Sequence, residues 1–156
     1  MESNMIASAQ YQVSEIELIY KSKTKASSRP KVTESKDAYN ILNQDWDKNK
    51  IDFIEQFKVL LLNRANKVLA IYEVSSGGIT STIADPRMIF AAALKANAVS
   101  MVLAHNHPSG NLKPSRADED LTLRMKQAGI YLDIKVMDHI VLSSEGYFSF
   151  ADEGLL

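Results

Sequence analysis

Apolar and polar positions recur along the chain with two different periods, and each change of period predicts a new element. In "VSEIELIYKSK" the apolar residues Val13, Ile16, Leu18 and Tyr20 alternate with polar ones, with a break in phase near Ser14. That pattern predicts an edge strand with one solvated face. In "TESKDAYNILNQDW" the spacing becomes helical: Ala38, Ile41, Leu42 and Trp46 share a face, and Thr33 or Ser35 supplies the N-cap. Two apolar runs, Phe57 to Leu62 and Val68 to Val74, flank a polar turn from Asn63 to Lys67 and predict a hairpin. After the turn at Gly77 and Gly78, "ITSTIA" is read as a short third strand.

The second half punctuates itself more sharply. "DPRMIFAAALKAN" starts a helix with Asp85 as N-cap and Pro86 at the first helical position, where a missing N–H costs nothing. "AVSMVLAHNH" is the near-continuous apolar run of a strand buried on both faces, and Pro108 ends it. In "PSRADEDLTLRMKQAGI" Ser115 is the N-cap, acidic residues fill the first turn, Leu121, Leu123, Met125 and Ala128 are apolar, and Gly129 is the expected stop. "YLDIKVMDHIVLSSEGYFSF" predicts two or three strands broken at Asp138 and at "SSEG". Helices and strands alternate beyond residue 80 while a hairpin precedes them. The expected fold is a single α/β domain of three layers, a mixed sheet with helices on both faces.

Composition narrows what such a domain can do. At 156 residues the chain is long enough to bury roughly two thirds of its unfolded surface around one core. Its 18 Lys and Arg against 19 Asp and Glu leave no overall field to attract nucleic acid or a membrane. A local exception is "KSKTKASSRPK", where Lys21, Lys23, Lys25, Arg29 and Lys31 carry five positive charges and no negative one intervenes. The ordinary reading is a solvated hairpin or linker, and the alternative is a contact with nucleic-acid phosphates. With no cysteine, a metal site must use nitrogen and oxygen. The start "MESNMIASAQ" has no secretion-signal pattern and no apolar run reaches membrane-spanning length, so a cytoplasmic location is expected.

Two of the three histidines then become informative. On a strand, residues i and i+2 share a face, so His105 and His107 project together while Asn106 points away. The loop "PSGNLKP" can return the next helix start over that strand end, where Asp118 would face the histidines. Two imidazoles and a carboxylate suit catalytic zinc with a fourth position left for water. A His-x-His followed at this spacing by Asp arises by chance on the order of a few times per thousand such chains. Without a metal, the histidines would close a strand end by hydrogen bonding and Asp118 would pair with Ser115 in a capping box. Glu119 and Asp120 read as first-turn helix charges, Asn106 and the "PSG" turn as loop-shaping, and Gly110 as the supplier of an unusual backbone angle.

The stretch "HNHPSGNLKPSRADEDLT" resembles the signature of the JAMM/MPN+ metalloprotease domain, His-x-His, seven residues, Ser, two residues, Asp, at His105, His107, Ser115 and Asp118. The fuller pattern, running from about Ile51 to "ADEGLL", is similar to the RadC-like branch of bacterial JAB-domain proteins. The resemblance implies a metal-binding domain over residues 51–156, with the strand, basic segment and helix of 1–50 packed on it. It also implies zinc held by His105, His107 and Asp118, and a glutamate ahead of the first long strand as general base and acid. Glu55 stands at that place, with Glu73 as the runner-up if the hairpin register differs. Ser115, or the metal itself, would stabilise the oxyanion, a role that for Ser115 competes with its cap. His139, beside Asp138, is read as structural. Members of the branch often carry a helix-hairpin-helix region, and no such glycine-punctuated pair is seen here, so the chain reads as a short, stand-alone form.

The expected function is a zinc-dependent hydrolase acting on peptide or isopeptide bonds of an unidentified protein or peptide. The alternative is a DNA-associated repair or mobile-element protein that uses the basic segment and keeps a non-catalytic metal site. A zinc nucleoside deaminase is set aside because it expects cysteine ligands.

Overall fold

A computed structural model describes residues 12–17, 19–77 and 84–156. Five strands, β1 (Gln56–Leu62), β2 (Val68–Ser76), β3 (Ser100–Asn106), β4 (Lys135–Leu142) and β5 (Tyr147–Ser149), form one mixed sheet in the order β2-β1-β3-β4-β5. Among the described residues only the β3/β4 pairing is parallel, and α3 (Arg116–Leu132) makes the crossover between them. Helix α1 (Ser35–Asp45) covers one face, while α2 (Pro86–Lys95) and α3 cover the other. This is the expected three-layer α/β arrangement.

The layers follow from two central strands that are buried at every position. Alternate residues of β1 and β3 feed opposite cores. Phe57, Val59, Leu61, Met101 and Leu103 pack with Ile89, Phe90 and Ala93 of α2 and Met125 of α3. Leu60, Leu62, Val102 and Ala104 pack with Ala38 and Leu42 of α1 and with Trp46 just beyond it. Each fully buried large side chain stabilises the fold by about 1.5–3 kcal/mol. The helix starts at Pro86 and Arg116 are capped as expected: Asp85 accepts from the Arg87 N–H and Ser115 from the Asp118 N–H.

Several expectations change. No strand forms in the described part of Val13 to Tyr20; Val13 and Ile16 are 84% and 88% exposed, because no sheet edge receives their apolar face. The basic segment contains a short 3-10 turn, Ala26–Ser28, and runs beside the start of β2, where Lys31 bridges Lys67. Glu34, not Thr33 or Ser35, precedes α1, and the Thr33 hydroxyl donates instead to Asp37. Helix α3 runs past Gly129 to Leu132 and ends on Asp133 in the left-handed region (φ 53). A Cβ at Gly129 would lie 2.2 Å from the Ile134 carbonyl oxygen, so this glycine permits a close crossing and does not end the helix. Leu123 faces solvent.

Strand β4 is unbroken at Asp138. Its register against β3 jumps from Met101↔Val136 to Val102↔Asp138, leaving Met137 as a bulge. The "ITSTIA" strand lies outside the described residues apart from Ala84. Among the described residues no helix is long and apolar enough to cross a membrane.

Candidate metal centre

The site forms where β3 ends and α3 begins. His105 lies opposite Phe57 of β1, and its side chain continues the face of Met101 and Leu103. His107 keeps the alternation one residue past the strand, because its N–H still donates to the Leu142 carbonyl of β4 at 2.9 Å. Gly110 then turns the chain at φ 79, its N–H bonded to the His107 carbonyl. The loop brings the Asn111 carbonyl to His107 Nδ1 and delivers Ser115 and Asp118 to the strand end.

Asp118 is shared between helix start and site. Its Oδ2 accepts from the Ser115 N–H and hydroxyl, both at 2.7 Å. The same carboxylate places Oδ1 3.3 Å from His105 Nε2 and Oδ2 3.7 Å from His107 Nε2. The two Nε2 atoms are 3.0 Å apart. A tetrahedral ion with ligands at about 2.0–2.1 Å separates them by roughly 3.3 Å, so these spacings suit such an ion. His105 is buried, whereas the His107 and Asp118 side chains are 18% and 16% exposed, which leaves one side of the group open to solvent. Among the described residues, this cluster is the one with the ligand types and convergence to hold a metal ion.

Charge is arranged to match. Burial pushes the Asp118 carboxyl up, but the adjoining His105 and His107 imidazoles and the hydrogen bond from Ser115 outweigh it, holding the group well below the carboxylate range. The N-terminus of α3 favours the same anion. For His107, the hydrogen bond to Asp118 raises the pKa against burial, with the Asn111 carbonyl and the charges of Asp118 and Glu55 adding to it. The site attracts positive charge.

Behind His105 stand residues whose part the spacing of the motif does not reveal. His139 is fully buried, its Nε2 2.8 Å from His105 Nδ1 and its Nδ1 2.6 Å from the Thr122 hydroxyl. It is not a member of the cluster that could hold a metal ion but the neighbour of a member. The bulge at Met137 puts it there: Val136 and His139 are three residues apart, yet both face α2 and α3. Asp138 points elsewhere, accepting from the Ser149 hydroxyl and the Ala151 and His139 N–H groups; burial raises its pKa. The neighbouring "DH" pair was a visible signal, but only the bulge reveals its direction.

Asn106 faces the other side of the sheet and is completely buried. Its amide donates to the Ile51 and Ile54 carbonyls at 2.7 and 2.8 Å, and its oxygen accepts from the Gln56 N–H at 2.7 Å. These bonds bracket Glu55, which enters β1 with its carbonyl accepting from the Gly77 N–H and its charge felt at His107. Glu73 is placed differently. It pairs with Lys58 at 3.9 Å and accepts from Gln56 Nε2, and Lys58 itself reaches Asp45 and the Trp46 ring on the α1 side. The runner-up glutamate is thus turned away from the histidines. The Ser115 hydroxyl proton is already given to Asp118. Lys21, Lys23, Lys25 and Lys31 lie exposed in the irregular N-terminal segment, and Arg29 donates to Ser22.

A five-strand mixed sheet with three helices, carrying a His-x-His strand end against a helix-start aspartate, defines a JAB/MPN-like domain. Residues 32–155 match the family model of the RadC-like JAB domain, and the chain belongs to that family. It is 43% identical over 125 residues to a UPF0758 protein of Flavobacterium johnsoniae, covering 80% of this chain and 53% of that protein. A UPF0758 protein of Symbiobacterium thermophilum is 47% identical over 103 residues, 66% of this chain and 44% of its own. One from Caldanaerobacter subterraneus is 39% identical over 127 residues, 76% and 53%. The chain spans about half the length of these curated relatives. The family match starts ahead of residue 51 and takes in α1, in keeping with the place of that helix in the second core.

Proposed function

We propose that this domain is a zinc-dependent hydrolase of the metallopeptidase or isopeptidase kind, acting on a protein or peptide. The observation that carries the reading is the convergence of His105 Nε2, His107 Nε2 and the Asp118 carboxylate at spacings suited to a tetrahedral ion, with one side open to solvent. Bound there, zinc would polarise a carbonyl and lower the pKa of water toward neutrality. His105, His107 and Asp118 would hold it. Glu55 takes the proton of the attacking water and returns it to the leaving amine, a role supported by its charge acting on His107 and by the clamp that fixes the backbone on both sides of it. Ser115 serves first by orienting Asp118. Its hydroxyl reaches a developing oxyanion only by giving up that bond, so the orienting role is the better supported.

The deciding measurement is metal content of protein purified without added metal, wild type against His107→Ala, followed by turnover of peptide and isopeptide substrates by wild type and Glu55→Gln. Zinc near one equivalent in the wild type, lost in His107→Ala, with turnover abolished in Glu55→Gln, is expected. Equal and negligible zinc in both proteins removes the basis of the enzyme reading. A loaded protein that cleaves no amide bond but binds DNA with steep salt dependence transfers the function to the basic segment.

A further inference from the structure

Thr122 is buried one helical turn beyond Asp118. Its hydroxyl oxygen lies 2.6 Å from the Asp118 carbonyl oxygen and 2.6 Å from His139 Nδ1. A carbonyl oxygen only accepts, so the one hydroxyl proton goes to it, and the ring nitrogen must donate for the second contact to be a hydrogen bond. His139 is enclosed completely, stacked on Phe150 at 4.8 Å and edge-on to Phe57 at 5.6 Å. An imidazolium there would lose its hydration, so the ring is neutral, and with Nδ1 protonated its Nε2 is bare. That bare nitrogen sits 2.8 Å from His105 Nδ1, which therefore carries a proton. The remaining nitrogen of His105, Nε2, keeps its lone pair on the side of His107 and Asp118.

We propose that Thr122 and His139 are positioning residues that lock His105 in the Nδ1–H tautomer, holding Nε2 ready for a metal ion before one arrives. The lock starts from the backbone carbonyl of Asp118, so the helix ligand and the strand ligand are tied together by one run of hydrogen bonds. His107 is set by a simpler device, the Asn111 carbonyl, which obliges its Nδ1 to carry the proton. The use of the lock rests on the metal-centre reading, but the proton assignments do not.

Long-range proton–nitrogen NMR of 15N-labelled, metal-stripped protein at mildly alkaline pH reads the tautomers directly. Proton-bearing Nδ1 and bare Nε2 signals are expected for both His105 and His139. An Nε2–H form of His105 in the wild type overturns the proposal. Thr122→Val preserves volume but removes the acceptor, and is expected to mix the tautomers of both rings and weaken zinc binding 10–100-fold by titration calorimetry, with Thr122→Ser restoring both. Unchanged tautomers in folded Thr122→Val also overturn it. If that variant does not fold, the wild-type and Thr122→Ser spectra still decide. A wild type showing the expected tautomers yet binding no zinc upholds the lock while sinking the metal reading.

Discussion

His105 and Asn106 are adjacent, polar and buried on the same strand, yet they serve opposite sides of the sheet. The Asn106 amide spends its bonding capacity on three backbone groups around Glu55. His105 has one nitrogen engaged from behind by His139 and the other turned to a point shared with His107 and Asp118. A buried polar group whose bonds all end in backbone is structure. One that keeps an atom aimed at a common, partly open point can do chemistry. The difference separates a structural group from a candidate ligand within two residues, and mutations can test that separation.

The largest effect is expected from Asn106→Ala, which strips partners from two carbonyls and one N–H. At about 1–3 kcal/mol for each buried group left unsatisfied, a loss of about 3 kcal/mol or more should appear in urea unfolding. Asn106→Asp keeps the shape but loses both donors and should fare no better, whereas His107→Ala should stay within about 1 kcal/mol of the metal-free wild type. If His107→Ala proves the more destabilising, the division between the two faces fails. Gly129→Ala comes next: with the Ile134 oxygen 2.2 Å from the new Cβ, backbone must shift, at about 1–3 kcal/mol.

A smaller, pH-dependent effect belongs to the histidine side. His107 has a raised pKa, chiefly through Asp118, so its contribution to metal-free stability is complete below the ordinary value of 6.5 and is lost as pH rises through the raised value. One proton accounts for at most about 1.4 kcal/mol per pH unit. Thermal unfolding in chelator should show this decline in the wild type and a flatter profile in His107→Ala; parallel profiles would assign the decline elsewhere. The smallest effect is expected from neutralising Lys21, Lys23, Lys25 and Lys31, each within about 0.5 kcal/mol because they lie exposed outside both cores.

Much of this was legible locally. The two periods of apolar residues placed the β1/β2 hairpin, α2, β3 and the start of α3, since burial on one or two faces leaves its mark on neighbouring positions. Asp85 and Ser115 announced their helices through side chains that bond within three residues. His105, His107 and Asp118 were visible because motif spacing is itself local. What escaped depends on distant partners. The alternation from Val13 to Tyr20 is a strand pattern whose described residues join no strand of the sheet, and Gly129 meets a carbonyl that only the return of the chain brings close. His139 and Thr122 are 17 residues apart and meet only after β4 is laid beside β3.

Met137 carries one more consequence. A regular ladder alternates sides at every residue, so the surplus residue is what lets Val136 and His139 look the same way. Deleting Met137 should therefore smooth the ladder and spare the imidazole's orientation. Adding a residue between Asp138 and His139 should swing that ring through the sheet toward Trp46, stranding His105 without its backing.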